Sequence, residues 1–283
     1  MSEPSQILVE LVGKFPNPDE QGMLSNIDKQ AVEDIIAEIH KGGRDSIIGL
    51  IDMLVEPGKG DDVKPRYALH CLAVYVCKLQ DKNLQRAFAR TLASQLGGDR
   101  PKAVQGYIIR QLQVAGGKEV APALGKALCD EELCEYAAQA IAAISDGAAE
   151  QLRAALPKAT GKCRLNIVQN LGVVRDTKAV SVLKQAASDT DRNIRLAAIW
   201  ALANIGDAGP VDVLIKAADT QDAYERIKTT QACLLLAEKL VAANYKSEAA
   251  RIYTYLRNSR TDPSESYVRD AADSALAAAN KRQ

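Results

Sequence analysis

The sequence predicts an all-α fold, an α-α superhelix of about seven helical hairpins stacked in a row. Three observations predict it. One helical pattern recurs about every 30 residues along most of the chain. Its segments carry apolar residues at the 3.6-residue spacing of an amphipathic helix. Only 4% of the residues are aromatic and alanine is abundant, which lets helices pack closely.

The clearest repeat covers residues 191–206, followed by a second amphipathic segment at residues 210–218. Asp191 is suited to cap the first helix, and Gly206 can end it in a left-handed turn. The positions predicted to face the core are Ile194, Ala198, Ala201, Leu202 and Ile205. A hairpin of this size cannot bury both apolar faces alone, so the pattern predicts neighbouring hairpins.

The same pattern is found before and after this repeat. The positions equivalent to Leu202 in earlier repeats are Leu112, Ile141 and Leu171. Arg195 corresponds to Arg226 and, after a longer interval, to Arg269. A nearly constant step with one long interval predicts stacked hairpins of which one is enlarged.

We therefore predict one domain over residues 1–283. Residues 1–60 are expected to form N-terminal capping helices, because their amphipathic segments lack the repeat pattern. Residues 61–220 are expected to hold the regular repeats. Residues 221–283 are expected to form an enlarged C-terminal repeat and a cap.

Two segments, residues 193–202 and 266–272, resemble the first helix of a HEAT repeat, with its V-R-x-x-A-x-x-A-L pattern. Residues 118–124 and 178–183 are similar to the second helix of that repeat. The resemblance runs from about Asp61 to the C-terminus and is to the short, PBS-lyase HEAT-like type. It implies a HEAT-like solenoid, whereas function varies widely among proteins of this architecture.

Arginine recurs at one position of the pattern, in Arg164, Arg195 and Arg226. Together with Asp191, these arginines resemble the Asp/Arg pairs that join adjacent HEAT repeats. We therefore expect a structural role for them.

Composition argues against several classes of protein. Lys plus Arg and Asp plus Glu are both 36, so the net charge is zero and nucleic acid is an unlikely partner by charge. No apolar run is long enough to cross a membrane. The first residues lack the basic and apolar regions of a signal peptide, which favours the cytoplasm. A chain from which a signal had been removed would look the same.

No pattern in the sequence indicates catalysis, a metal or a cofactor. The two histidines, His40 and His70, lack the His-Glu pairs of the HEAT-like hydroxylases. The six cysteines form no CxxC pair, and most lie in apolar helix patterns, so we expect them to be small buried residues. We predict a non-enzymatic protein without a cofactor.

The resemblance also indicates which surface could bind a partner, because the first helix of a HEAT repeat usually lines the concave side. In residues 191–206, Leu196, Trp200 and Ala203 lie opposite the predicted core. Shifting these positions by the repeat step adds residues of the other repeats. The resulting candidate protein-binding residues are Arg110, Gln139, Gln169, Leu196, Trp200, Ile227 and Gln231.

Long amide and guanidinium side chains can pair with a peptide backbone, and a tryptophan can anchor it. The leading prediction is thus a scaffold that binds a protein or peptide partner on this face. Alternatively, Trp200 packs against the next repeat and the glutamines are merely solvated. A second alternative is a small-ligand site like that of the HEAT-like bilin lyases.

Overall fold

The computed structural model describes residues 4–19 and 27–280. In this part of the chain the regular elements are all helices, so the all-α prediction is confirmed. The Cα positions group into two compact units, Met1–Lys158 and Ala159–Gln283. The prediction of one domain over the whole chain stays a prediction.

Nine α-helices form the first unit within its described residues. They are α1 (Gln6–Gly13), α2 (Lys29–Lys41), α3 (Gly43–Asp52), α4 (Val63–Lys78), α5 (Lys82–Ala93), α6 (Lys102–Ala115), α7 (Ala121–Ala127), α8 (Cys134–Ile144) and α9 (Ala148–Ala155). Helices α2, α4, α6 and α8 pack in sequence as one layer. Helices α3 and α5 pack together in the second layer, as do α7 and α9. This alternation is the arrangement of stacked helical hairpins.

Seven α-helices form the second unit as far as residue 280, where the described part of the chain ends. They are α10 (Gly161–Val173), α11 (Val180–Ala186), α12 (Arg192–Ile205), α13 (Val211–Ala218), α14 (Ala223–Ala242), α15 (Lys246–Ser259) and α16 (Ser266–Asn280). Helix α12 packs against both α10 and α14, and α11 and α13 cover the other side. Helix α14, with 20 residues, is the longest of the described helices. The enlarged C-terminal repeat expected over residues 221–283 stays a prediction.

The ends of α12 follow the chemistry of its terminal residues. The carboxylate of Asp191 accepts a hydrogen bond of 2.7 Å from the backbone N–H of Asn193. Gly206 ends the helix at φ 81°, a left-handed conformation that glycine adopts without strain. Both predicted caps of the clearest repeat are therefore present.

The buried face of α12 is wider than the sequence predicted. Ala203 was expected to lie opposite the core, but it is fully buried. Ile205 was expected in the core, but it is only half-buried. The reason is that α12 packs between two helices, so its sides are covered as well as its inner face.

The recurring arginines join neighbouring repeats. Arg164 donates to Asp189, Arg195 donates to Glu225 and Arg226 donates to Glu265, with N–O distances of 3.1, 2.8 and 2.8 Å. The structural role expected for these arginines is thus observed. The acidic partner was wrong, because Asp191 caps its own helix and Glu225 of the next repeat pairs with Arg195.

None of the six cysteines, which all lie within the described residues, forms a disulfide bond, and their burial varies. Cys134, Cys163 and Cys233 are buried, as the sequence predicted. Cys129 is exposed, because it falls at the end of α7, where the chain turns toward the next repeat.

Candidate functional site

An open groove of about 550 Å³ runs across α10, α12 and α14 in the second unit. We call it the α12 groove. Its lining residues are Leu165, Gln169, Asn193, Leu196, Ala197, Trp200, Tyr224, Lys228, Gln231, Ala232 and Leu235. These three helices belong to successive repeats, so the groove presents equivalent positions of each repeat side by side.

The floor of the groove is apolar and centres on Trp200. This side chain is 38% exposed, although its ring is large and apolar. Leu165, Leu196 and Leu235 are half-buried around it. A partly exposed tryptophan beside aliphatic side chains is typical of the anchor positions in protein interfaces.

Trp200 also packs against its own fold. A Cβ atom on Gly172 of α10 would lie 2.8 Å from Cζ3 of Trp200, so the ring rests on the bare backbone of that glycine. The side-chain amide of Asn204 donates to the Gly172 carbonyl at 3.0 Å and helps hold α12 against α10. The ring therefore packs on the preceding repeat, whereas the alternative expected packing on the next one, and its exposed part lines the groove.

Two glutamines carry the polar groups of the groove. Gln169 and Gln231 are exposed, and within the described residues neither side chain makes a hydrogen bond. Each amide offers donors and an acceptor, the same groups that a peptide backbone presents. The pair can therefore hydrogen-bond to an extended main chain that crosses Trp200.

Cations surround Tyr224 at one side of the groove. The guanidinium of Arg192 lies 5.8 Å from the ring centroid, and the ammonium of Lys228 lies 5.7 Å from it. Arg192 also pairs with Asp222 and, at 3.1 Å, with Glu225. The backbone N–H of Glu225, followed by the charge of Arg192, holds the pKa of Asp222 below its ordinary value.

The structure brings together four of the seven candidate residues. Gln169, Leu196, Trp200 and Gln231 all line the α12 groove. Ile227 lies on α14 and is 53% exposed, but it does not line the groove.

The other two candidates belong to the first unit. Arg110 lines a cavity of about 370 Å³, with its guanidinium 5.0 Å from the centroid of the Tyr136 ring. Gln139 donates to the carboxylate of Glu135 at 3.3 Å. The continuous row of five positions that the repeat step predicts stays a prediction.

Sequence reasoning missed Tyr224, Lys228 and Leu235 in the groove. All three are on α14, at helical spacings of seven, three and four residues from Gln231. Following the 3.6-residue period along this helix from Gln231 would have found them. The repeat step alone gives one equivalent residue in each repeat. It does not identify the further residues on the same face of the longer helix α14.

The lining groups suit noncovalent binding. Aromatic, aliphatic and amide side chains make up most of the surface, and Lys228 is its charged member. Within residues 4–19 and 27–280 there is no cluster of three or more histidine, cysteine or acidic side chains that could hold a metal. In the same described part, none of the helices is long and apolar enough to cross a membrane.

Layered pairs of α-helices with a groove across successive repeats define a helical-repeat protein. The repeats are of a known kind, since residues 149–233 match the family model described as HEAT repeats. Residues 149–233 are thus HEAT repeats, as the sequence pattern predicted. No curated protein matches the sequence significantly.

Some solved structures are similar to this chain, with low sequence identities and TM-scores below 0.5. An engineered protein is 21% identical, with a TM-score of 0.48, over 97% of this chain and 78% of that one. The HEAT-like repeats protein of Thermococcus onnurineus NA1 is 13% identical, with a TM-score of 0.47, over 81% of this chain and 98% of that one. A chain of the complex of CpcE and CpcF of phycocyanin lyase from Nostoc sp. PCC7120 is 19% identical, with a TM-score of 0.41, over 81% of this chain and 94% of that one. These TM-scores are too low to transfer the role of any residue to this chain.

Proposed function

We propose that this protein is a non-enzymatic scaffold whose α12 groove binds an extended segment of a partner protein. The observation that carries the proposal is the position of the two unpaired amides, Gln169 and Gln231, in the same groove as the partly exposed Trp200. Free amides can match the hydrogen bonds of a main chain, and Trp200 with Leu196 can hold an apolar side chain. HEAT repeats often mediate protein interactions, which supports this use of the groove.

The spacing of the helices sets the length of the bound segment. Neighbouring packed helices lie about 8–10 Å apart, so three of them span about 20 Å. An extended chain covers about 3.3 Å per residue, so about six residues cross the groove. We expect the apolar anchor near the middle of that segment, above Trp200.

The test compares a groove variant with a matched control in the same unit. The groove variant is Leu196→Ala with Trp200→Ala. The control is Tyr245→Ala with Tyr267→Ala, which removes two aromatic rings that are 49% and 63% exposed and lie outside the groove. Circular dichroism checks that each variant is folded.

Each protein is then used for affinity capture from the native lysate, with identification by mass spectrometry. We expect the wild type and the control to capture the same partner, and the folded groove variant to lose it. A partner captured equally by all three would overturn the groove as the binding site. If a bilin shifts its visible absorption with the wild type and not with the groove variant, the small-ligand alternative replaces the proposal.

A further inference from the structure

The charges at the α12 groove are unevenly distributed. Among the residues that line it, Lys228 is a cation and none is acidic. Arg192 adds a second cation at its edge, next to Tyr224. The nearby carboxylates, Asp222 and Glu225, do not line the groove.

Both of these carboxylates are already engaged. Glu225 accepts from Arg192 at 3.1 Å and from Arg195 at 2.8 Å. Asp222 pairs with Arg192 and accepts from the backbone N–H of Glu225 at 2.9 Å. Two cations and two carboxylates therefore balance each other in this network.

Lys228 is outside that balance. Its side chain is exposed, and among the described residues it makes no ion pair. Its ammonium nitrogen lies 5.7 Å from the centroid of the Tyr224 ring. Within the described residues no carboxylate is therefore paired with this ammonium, which lies at the edge of the groove about one helical turn before Gln231.

The cations beside the ring of Tyr224 favour the same sign of charge in a ligand. An aromatic face attracts cations, but two cations already lie within 6 Å of this ring. A basic ligand would meet Lys228 and Arg192 there. An acidic ligand would instead gain Lys228 as a partner.

We infer that the segment bound in the α12 groove is acidic: an apolar or aromatic anchor for Trp200, with an aspartate or glutamate beside it for Lys228. This inference rests on the proposed function and adds the charge of the partner. The apolar floor supplies most of the affinity, while the charge at the edge selects between segments.

The test uses three synthetic peptides whose flanking residues are negatively charged, neutral or positively charged. Each peptide has six residues with one leucine near the middle. The residues on both sides of this leucine are glutamate in the first peptide, serine in the second and lysine in the third. The N-terminus is acetylated and the C-terminus is amidated. Trp200 is the single tryptophan of the chain, so its fluorescence reports occupancy of the groove directly. Titrations are run with the wild type, Lys228→Glu, the groove variant and the Tyr245→Ala/Tyr267→Ala control.

We expect the glutamate peptide to bind the wild type and the control about fivefold more tightly than the lysine peptide, since an exposed ion pair contributes up to about 1 kcal/mol. The order should reverse in Lys228→Glu, and added salt should reduce the difference. The folded groove variant should bind none of the peptides, as judged by calorimetry.

The outcomes separate the two proposals. If all three peptides bind the wild type equally and Lys228→Glu changes nothing, the charge inference is overturned while the groove still binds a peptide. If the lysine peptide binds best, the inference is also overturned. If calorimetry and fluorescence detect no binding of any peptide at millimolar concentration, both proposals fail.

Discussion

Trp200 rests on Gly172, a glycine in the last turn of the neighbouring helix α10. A Cβ atom at position 172 would lie 2.7 Å from Cα of Ala201 and 2.8 Å from Cζ3 of Trp200. These distances are far shorter than a normal carbon–carbon contact. The close approach of α10 and α12, and with it the position of the tryptophan in the groove, therefore requires glycine at this site.

Gly172→Ala should consequently destabilise the protein and move Trp200. Overpacking typically costs about 1–3 kcal/mol, which exceeds the gain of about 1 kcal/mol for alanine over glycine in a helix. Urea unfolding and the emission maximum of Trp200 measure the two effects. Gly13→Ala is the control, because a Cβ on that helical glycine meets no atom within 4 Å. A Gly172→Ala protein with wild-type stability and emission would show that the helices can separate without cost.

The pairing of Arg226 with Glu265 should matter more to stability than an exposed ion pair. Arg226 donates to both carboxylate oxygens at 2.8 Å and to the Ser259 carbonyl at 3.1 Å, and both side chains are mostly buried. Arg226→Ala should lower the free energy of unfolding by about 1.5–3 kcal/mol, the usual range for hydrogen bonds to charged groups.

Arg251 provides the matched control for that change. Arg251 forms an ion pair with Asp212, and both side chains are exposed. Arg251→Ala should change the free energy of unfolding by less than about 1 kcal/mol. Equal losses for the two variants in urea denaturation would contradict the proposed difference between the half-buried and the exposed pair.

The same pair makes stability depend on pH. The hydrogen bond from Arg226, the largest cause, holds the pKa of Glu265 below its ordinary value. A carboxylate with a lowered folded pKa stabilises fully above its unfolded pKa, about 4.3 for glutamate, and loses that contribution as pH falls through the folded pKa.

Urea denaturation between pH 7 and pH 3 measures this dependence. Below about pH 4.5 the wild type should lose stability more steeply than Glu265→Gln, whose side chain does not titrate. Arg226→Gln should flatten the same part of the curve, because the glutamate then loses the partner that lowers its pKa. Wild-type slopes in both variants would show that Glu265 does not contribute to acid sensitivity.

The cysteines should differ in reactivity. Cys129 is exposed, whereas Cys233 is buried on α14 and its burial raises the pKa of the thiol to about 12. Because the thiolate is the reactive form, iodoacetamide at pH 8 should modify Cys129 well before Cys233 in the folded protein. Peptide mass mapping over time measures the order, and the same reaction in urea should remove the difference. Equal rates without urea would mean that the second unit opens faster than the reagent reacts.

Sequence reasoning succeeded where a local pattern determines the structure. The caps Asp191 and Gly206 act on backbone groups within a few residues, so their chemistry is readable from the sequence. The same holds for the side of α12 that carries Leu196 and Trp200, because the helical period determines which residues share a face. Gln169 and Gln231 followed from the repeat step, and both do line the groove with Trp200.

Sequence reasoning failed where burial or pairing depends on how two helices pack together. Ala203 seemed a surface position by period alone, yet the neighbouring helices bury it. Asp191 was expected to take part in the Asp/Arg pairs between repeats, whereas Glu225 is the partner of Arg195 and lies beside it only after α14 packs against α12. No local rule gives the distance between helices of successive repeats.

The sequence by itself determined the helices, their caps and the order of the repeats, because these depend on contacts within one turn or one period of the chain. Tertiary structure alone decided that Gly172 supports Trp200 and that Lys228 and Tyr224 border the same groove. The physical reason is that three helices from successive repeats together form the groove. Its depth and charge depend on how closely their backbones approach, and that distance is set by side chains about 30 residues apart.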